Sequence, residues 1–152
     1  MRLAMFQPDI PQNLGAAIRL CACLGVGLDV IRPAAFPLDD RDLRRTAMDY
    51  TDRAEITLHA GWAAFRDSAA GARLILSTTR GAESLHGFGF RPTDILLMGR
   101  ESAGVPDEVH DQADARICIP MVAGARSLNV AMAAAMVLGE ATRQLGLPSL
   151  HD

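Results

Sequence analysis

Lysine is absent from this sequence of 152 residues, and all fifteen of its cationic side chains are arginine. Without lysine the chain cannot use a Schiff-base lysine, a lysine general base or the lysine of a phosphate-binding P-loop. The guanidinium groups that remain are planar forks suited to phosphate. A genomic preference for arginine codons would produce the same bias, but the chemical consequence is the same.

Cysteine is scarce as well, with only Cys21, Cys23 and Cys118. An odd number without a paired framework is typical of a reduced cytosol rather than of a secreted fold. Cys21 and Cys23 are two apart on a predicted helix, so they point to nearly opposite sides and make a poor metal pair. The four histidines are scattered and no His-Glu-x-x-His motif occurs. We therefore predict no metal site.

Long apolar runs are missing too. No window approaches the roughly 20 residues of a membrane span, and the apolar run at the N-terminus is too short for a signal peptide. We expect a soluble, cytoplasmic protein with no membrane partner. The net charge of -3 argues against a globally basic nucleic-acid binder, so any RNA contact needs a local cluster. The length suits one domain, 1–152, without an appended RNA-binding domain.

Short apolar segments alternate with helical ones along the whole chain. The pattern predicts strands at 3–6, 28–31, 55–58, 73–77, 94–98 and 116–119, and helices at 13–24, 39–47, 62–70, 106–112 and from 128 onward. This alternation indicates βαβ units and an α/β fold, a mainly parallel sheet with helices on both faces. Asn13 is predicted to cap the first helix and Gly25 to end it. Residues 78–93 form the one long loop.

Two segments carry candidate chemistry in the first two thirds of the chain. In the first, Pro8 to Arg19, a loop leads into a helix with small residues near its start, and Arg19 follows. In the second, Leu97 to Pro106, a buried strand breaks into a loop with two glycines and Glu101 between them. Ligands of open α/β sheets bind beyond such strand ends. Arg19 could equally be a solvated surface group, and Glu101 could simply pair with an arginine.

The third segment, Ile117 to Asn129, runs from a short strand through a glycine loop to a helix that Ser127 or Asn129 can cap. Backbone N–H groups at such a helix start suit a carboxylate, a phosphate or a polar heterocycle. The helix that follows is apolar almost all round from Val130 to Gly139. It is either a central core helix or part of a subunit interface.

A local arginine cluster, with Arg41, Arg44 and Arg45, is the best candidate for RNA contact. The alternative is a solvated helix face balanced by neighbouring aspartates. Tyr50 could stack on a base or be an ordinary half-buried tyrosine.

In this order the three segments resemble the signature blocks of the SPOUT superfamily of S-adenosylmethionine-dependent RNA methyltransferases. These blocks are Asn-x-Gly-x-x-x-Arg, Gly-x-Glu-x-x-Gly and Ile-Pro-Met followed by Ser-Leu-Asn, here at 13–19, 99–104 and 119–129. Within the superfamily the chain looks like the short tRNA 2′-O-methyltransferases that act on the wobble nucleotide, position 34. The segment 43–50, with its arginines and Asp-Tyr pair, is similar to that subgroup as well.

The resemblance implies a C-terminal trefoil knot, a cofactor bent into the knot loops, and a homodimer with its active site near the interface. The implied substrate is the anticodon stem-loop of tRNA, with cytidine or a modified uridine as target. S-adenosylmethionine would become S-adenosylhomocysteine. The implied catalytic residues are Arg19, Glu101 and Asn129, and Asn13 joins the arginines and Tyr50 at the RNA. The cofactor pocket is implied at Ser77, Thr78, Met98, Gly99, Ile119, Met121, Ser127 and Leu128.

Two details of the implied site follow from general chemistry. Gly99 would let the backbone approach a ligand closely. A guanidinium stays protonated in proteins, so Arg19 would hold a phosphate and stabilise developing negative charge rather than act as a base.

Three alternative hypotheses for the function have to be compared with this one. A dinucleotide-binding enzyme is disfavoured because Gly25-Val-Gly27 lacks a third glycine and precedes a strand. A knotted RNA-binding module without catalysis is disfavoured because the catalytic residue types are present. Methylation of another tRNA position or of ribosomal RNA stays open.

Overall fold

The computed structural model describes residues 1–38, 50, 54–80 and 82–146. Within these residues seven strands form one sheet. They are β1 (Arg2–Phe6), β2 (Gly27–Ile31), β3 (Ile56–His59), β4 (Leu74–Ser77), β5 (Glu83–Ser84), β6 (Ile95–Met98) and β7 (Ala115–Cys118). The order across the sheet is β3-β2-β1-β6-β4-β7-β5, and every pairing of neighbours is parallel.

Helices cover both faces of this sheet. They are α1 (Pro11–Leu24), α2 (Trp62–Ser68), α3 (Asp107–Asp111) and α4 (Val130–Leu145), with a 3-10 turn at Leu85–Gly87. The apolar sides of α1 and α4 pack on one face, and those of α2 and α3 on the other. The predicted α/β fold is therefore confirmed. The helix predicted at 39–47 lies outside the described residues, and the trefoil knot stays a prediction.

The centre of the sheet explains where the functional loops meet. All four residues of β6 are buried, and the strand pairs with β1 on one side and β4 on the other. A strand covered on both faces needs a continuous apolar run, which Ile95 to Met98 supplies. The register places Met98 beside Met5 and beside Ser77. The loops that follow β1, β4 and β6 therefore leave the sheet at the same edge.

The start of α1 differs from the prediction. The helix begins at Pro11, Ile10 precedes it without a side-chain cap, and Asn13 lies buried inside the first turn. Proline is well suited to this first position because its missing N–H has no helical partner there. The prediction that Asn13 caps the helix is thus wrong, whereas Gly25 ends it in a left-handed conformation, φ 64°, as predicted.

The loop predicted at 78–93 contains structure that the local pattern did not show. Glu83 and Ser84 pair with Ile117 and Cys118 as the short edge strand β5, and a 3-10 turn follows. Both residues of β5 are exposed, so no apolar alternation marks them. Only the distant partner strand makes this segment a strand.

The polar groups buried in the sheet are paired. Asp29, 4% exposed, accepts from Arg2 Nε at 2.7 Å and contacts His59 Nε2 at 2.7 Å. Asp94, 0% exposed, accepts from Arg73 Nε at 2.9 Å and Nη2 at 2.7 Å. Among the helices of the described ranges, none has the length and apolarity to cross a membrane.

Candidate active site

A cleft of about 880 Å³ opens at the carboxyl edge of the sheet. Its walls come from the loops after β4, β6 and β7 and from the start of α1, with Ile10 and Asn13. This is where parallel α/β sheets bind ligands. Its size is within the range of roughly 300 to 1,000 Å³ typical of small-molecule sites.

The residues implied as the cofactor pocket all line this one cleft. They come from three loops that are far apart in sequence: Ser77, Thr78, Met98, Gly99, Ile119, Met121, Ser127 and Leu128. Apolar walls from Leu76, Met98 and Ile119 stand beside polar groups at Ser77 and Thr78. Apolar walls beside polar groups fit a nucleoside such as the adenosine of S-adenosylmethionine. Their individual contacts with a cofactor stay a prediction.

Asn129 caps helix α4 at the edge of the cleft. Its Oδ1 accepts from the backbone N–H of Ala131 at 2.9 Å and of Met132 at 3.2 Å. Of the two capping candidates the structure thus selects Asn129. Its Nδ2 remains available and donates to Asn13 Oδ1 at 2.9 Å.

Asn13 continues this network into the second motif. Its Nδ2 donates to Glu101 Oε1 at 2.9 Å, and the other carboxylate oxygen, Oε2, accepts from the backbone N–H of Asp9 at 2.8 Å. One hydrogen-bonded chain, Asn129 to Asn13 to Glu101, therefore joins all three motifs. Asn13 is only 7% exposed and uses both ends of its amide here. Its predicted RNA contact stays a prediction.

Glu101 has no arginine partner within ion-pairing distance among the described residues. Both of its oxygens instead accept hydrogen bonds from neutral donors, Asn13 and the backbone of Asp9. The alternative of a simple Glu–Arg pair is therefore not what the structure contains. Glu101 lines the cleft and is positioned by the network, and its direct part in catalysis stays a prediction.

Arg19 is separated from the other predicted catalytic residues. It is exposed on α1 and is not part of the cleft lining. Six residues along a helix rotate a side chain by about 600°, so Arg19 points roughly 120° away from Asn13. Its Cζ lies 4.9 Å from the ring centroid of Tyr50. A single chain thus brings Asn13, Glu101 and Asn129 together but leaves Arg19 outside.

Of the residues predicted to contact RNA through the arginine cluster and Tyr50, the structure describes only Tyr50. Arg41, Arg44 and Arg45 lie outside the described residues. Tyr50 is half-buried, and the guanidinium of Arg19 lies over its ring. Base stacking by Tyr50 stays a prediction.

The structure gives a reason for glycine at position 99 that lies within the protein itself. A Cβ built there would lie 2.8 Å from both Cα and C of Gly104. The loop folds back on itself: Arg100 N–H donates to Gly104 O at 3.0 Å, and Gly104 N–H donates to Arg100 O at 2.9 Å. The close approach of Gly104 therefore requires glycine at position 99, and a close approach to a ligand there stays a prediction.

Several residues of the site carry no sequence signal of their own. Ile10 lines the cleft, and Arg80 pairs with Asp107 at its rim, Nη2 to Oδ1 3.2 Å. Asp9 hydrogen-bonds the second motif although it precedes the first. Each depends on elements that meet only in the folded chain. Within the described ranges, no group of three or more His, Cys, Asp and Glu side chains could hold a metal ion.

The fold is α/β, with a cleft of the size of a small-molecule site at the carboxyl edge of its sheet, and comparison with known proteins identifies the family. The profile of the SpoU rRNA Methylase family matches residues 1–139. A tRNA (cytidine(34)-2'-O)-methyltransferase of Beijerinckia indica is 57% identical over 146 residues, covering 95% of this chain and 91% of the relative. This chain belongs to the SpoU family of RNA methyltransferases, as its three motifs indicated.

Solved structures agree with this assignment. A structure concerned with 2-OH methylation of C/U34 on tRNA is 41% identical with a TM-score of 0.89, covering 95% of each chain. An AdoMet-bound rRNA methyltransferase from Sinorhizobium meliloti is 29% identical with a TM-score of 0.83, and the match covers 95% of this chain and 56% of that one. The Sinorhizobium meliloti protein is therefore longer and has sequence outside the matched region.

Proposed function

We propose that this protein methylates the ribose 2′-hydroxyl of nucleotide 34 in tRNA, a cytidine or a modified uridine, with S-adenosylmethionine as donor. The observation that carries the proposal is the Asn129–Asn13–Glu101 chain at the edge of a nucleoside-sized cleft. The relative from Beijerinckia indica, named for cytidine 34, matches over nearly its whole length. Methylation elsewhere in tRNA or in ribosomal RNA is the alternative that the test below separates.

Different residues of the cleft would hold different parts of the cofactor. The apolar walls at Met98, Ile119 and Leu128 would contact the adenosine, and polar groups at Ser77 and Thr78 would bind its edges. When bound, S-adenosylmethionine supplies an activated methyl group on its sulfonium. No metal ion enters the proposal. Here the chain's own residues have to align the acceptor oxygen and stabilise its charge.

Arg19 is the proposed electrostatic catalyst. Its guanidinium would bind the phosphate next to the target ribose and stabilise negative charge that develops on the 2′-oxygen. Because a guanidinium stays protonated, the proton would pass to that phosphate or to water. The network through Asn13 and Glu101 would fix the start of α1, the helix that carries Arg19.

A homodimer would bring Arg19 to the cleft. On α4 the exposed side chains include Met132, 62% exposed, and Met136, 44% exposed, followed by Gly139 one turn later. Helix α1 packs beside α4, and it exposes Ala16 and Arg19 on its outer side. Pairing of two such surfaces would cover the methionines and place Arg19 of one subunit near the cleft of the other. The interface alternative for the last helix is thus the one we propose.

RNA binding would use the arginine cluster as well. If Arg41, Arg44 and Arg45 bind phosphates of the anticodon stem-loop, removing each one should reduce the salt dependence of tRNA binding by about 1 in slope. An unchanged slope would place the tRNA elsewhere. Tyr50 would stack on a base of the same loop.

The decisive experiment joins one variant with one cellular measurement. Arg19→Ala should abolish methylation of tRNA in single-turnover assays and leave the affinity for S-adenosylhomocysteine, measured by calorimetry, nearly intact. Equal loss of both would show that Arg19 is structural. Nucleoside mass spectrometry of tRNA from cells that lack the protein should show loss of one 2′-O-methylated wobble nucleoside. Loss at another position would overturn the assignment to nucleotide 34.

Subunit sharing can be tested by mixing. Arg19→Ala and Asn129→Ala proteins, each inactive alone, should regain methylation when they are mixed and allowed to exchange subunits. A mixture that stays inactive would show that each active site takes both residues from one chain.

A further inference from the structure

A reciprocal clasp joins the loop after β1 to the loop after β6. The carboxylate of Asp9 accepts at Oδ2 from the backbone N–H of Ser102 at 3.0 Å and also from the Ser102 hydroxyl. In return, the backbone N–H of Asp9 donates to Glu101 Oε2 at 2.8 Å. Three hydrogen bonds thus tie positions more than ninety residues apart in sequence.

The clasp connects two walls of the cleft whose relative position has to be kept. On one side, Ile10 directly after Asp9, and Asn13 one helical turn further on, line the cleft. On the other side, the loop 99–104 carries Glu101, which holds Asn13. Loss of the Asp9 carboxylate would leave Glu101 tied by its own two bonds, on a loop no longer anchored at Ser102.

We propose that Asp9 is a positioning residue for methyl transfer, whose carboxylate anchors Ser102 and thereby holds Glu101 against Asn13 and Asn129. This inference rests on the proposed function and deepens it. Asp9 touches no reacting atom; it acts through Glu101. The role differs from that of the motif residues, because Asp9 belongs to none of the three motifs.

The electrostatics of Asp9 agree with this role. Hydrogen bonds from the Ser102 hydroxyl, then from the Ser102 backbone, lower the pKa of the Asp9 carboxyl, and the positive charge of Arg100 adds to the effect. The carboxylate form, which can accept both bonds, is therefore the favoured one. Charge-assisted hydrogen bonds of this kind are stronger than neutral ones.

The shape of the loop itself does not depend on Asp9. Its two ends are joined by the paired backbone hydrogen bonds between Arg100 and Gly104. Asp9→Ala removes neither of these bonds nor any residue of the cleft lining. The cofactor wall should therefore survive while Glu101 is held less firmly against Asn13, which separates kcat from cofactor affinity.

The experiment measures kcat on tRNA and the Kd for S-adenosylhomocysteine in Asp9→Ala, Asp9→Asn, Ser102→Ala, Ser102→Thr and the Asp9→Ala/Ser102→Ala double variant. Asp9→Ala should lower kcat about ten- to a hundredfold, the range that a small misplacement of reacting groups produces, with the Kd nearly unchanged. Ser102→Thr keeps the hydroxyl and should retain the rate. Adding Ser102→Ala to Asp9→Ala should cost nothing further, because the partners act as one pair. Asp67→Ala, which removes the same charge from an exposed site on α2, is the control.

The opposite results would overturn the inference. They are a wild-type kcat in Asp9→Ala, a Kd that rises in proportion to the loss of kcat, or additive effects in the double variant. Hydrogen exchange supplies a readout independent of activity, since amides of the loop 99–104 should exchange faster in Asp9→Ala and in the milder Asp9→Asn. If wild-type protein fails to methylate tRNA, the proposed function is wrong. Unchanged hydrogen exchange of the loop 99–104 in the Asp9 variants would separately show that the clasp does not hold this loop.

Discussion

Replacing Gly99 by alanine tests the packing of the cleft at its tightest point. The added Cβ would lie 2.8 Å from Cα and C of Gly104, where ordinary contacts begin at 3.4 Å. The two strands of backbone would have to separate by about 0.6 Å, against the hydrogen bonds between Arg100 and Gly104. Overpacking of this kind costs about 1 to 3 kcal/mol. Because Gly99 lines the cleft, the displaced wall should also weaken S-adenosylhomocysteine binding about tenfold or more, which is about 1.4 kcal/mol.

Calorimetric titration with S-adenosylhomocysteine and urea unfolding measure the two effects. Gly89→Ala is the matched control, because a Cβ at Gly89 meets nothing within 4 Å and its φ is not in the left-handed region. That variant should bind normally and be as stable as wild type or up to about 1 kcal/mol more stable, since alanine restricts the unfolded chain.

Unchanged affinity in Gly99→Ala would refute the reasoning. It would show that the loop 99–104 can open by several tenths of an ångström without disturbing the ligand site. Equal behaviour of the two alanine variants would likewise show that the contact with Gly104 has no energetic weight.

Three further predictions concern caps, buried charge and pH. Asn129→Asp keeps the cap on α4 but places an oxygen where the donor to the buried Asn13 Oδ1 was, so kcat should fall and stability should drop by about 1 to 3 kcal/mol in thermal unfolding. Asn129→Ala removes the cap as well, which should cost about 1 kcal/mol. Asp29→Ala leaves His59 Nε2 and Arg2 Nε without their acceptor, although Arg2 keeps Glu55 and Thr57, and should cost about 1 to 3 kcal/mol in urea unfolding; Asp107→Ala, at the exposed pair with Arg80, should cost little. Burial raises the pKa of the Cys21 thiol to about 12 in the folded protein, from an ordinary value of 9.0. Its contribution to the free energy of unfolding is therefore complete below about pH 9 and is lost as pH rises toward 12, by about 1.4 kcal/mol per pH unit. Cys21→Ala should remove this part of the alkaline slope, and a slope that persists would contradict it.

Much of the fold was predictable because its signals are local. The apolar run from Ile95 to Met98 indicates a strand buried on both faces, and it is one. Gly25 ends α1 and Asn129 caps α4 because left-handed conformation and capping are properties of a few adjacent residues. The family motifs also located the cleft, since all eight residues implied for the cofactor line it.

Other features depend on contacts between residues that are far apart in the sequence. Asn13 looked like a helix cap, but its side chain is taken by Glu101, 88 residues away, and by Asn129, 116 residues away. The strand β5 exists only through its partner β7, and the direction of Arg19, away from its own cleft, follows from the phase of α1 on the sheet.

The sequence by itself determined the alternation of strands and helices, their principal ends and the three segments that carry the chemistry, because periodicity and capping act within a few residues. Only the tertiary structure decided which polar groups share a hydrogen bond: Asn129 with Asn13, Glu101 with Asp9, Asp9 with Ser102. Such bonds form between loops that the parallel sheet brings to one edge, and no local pattern records which distant partner satisfies a given donor.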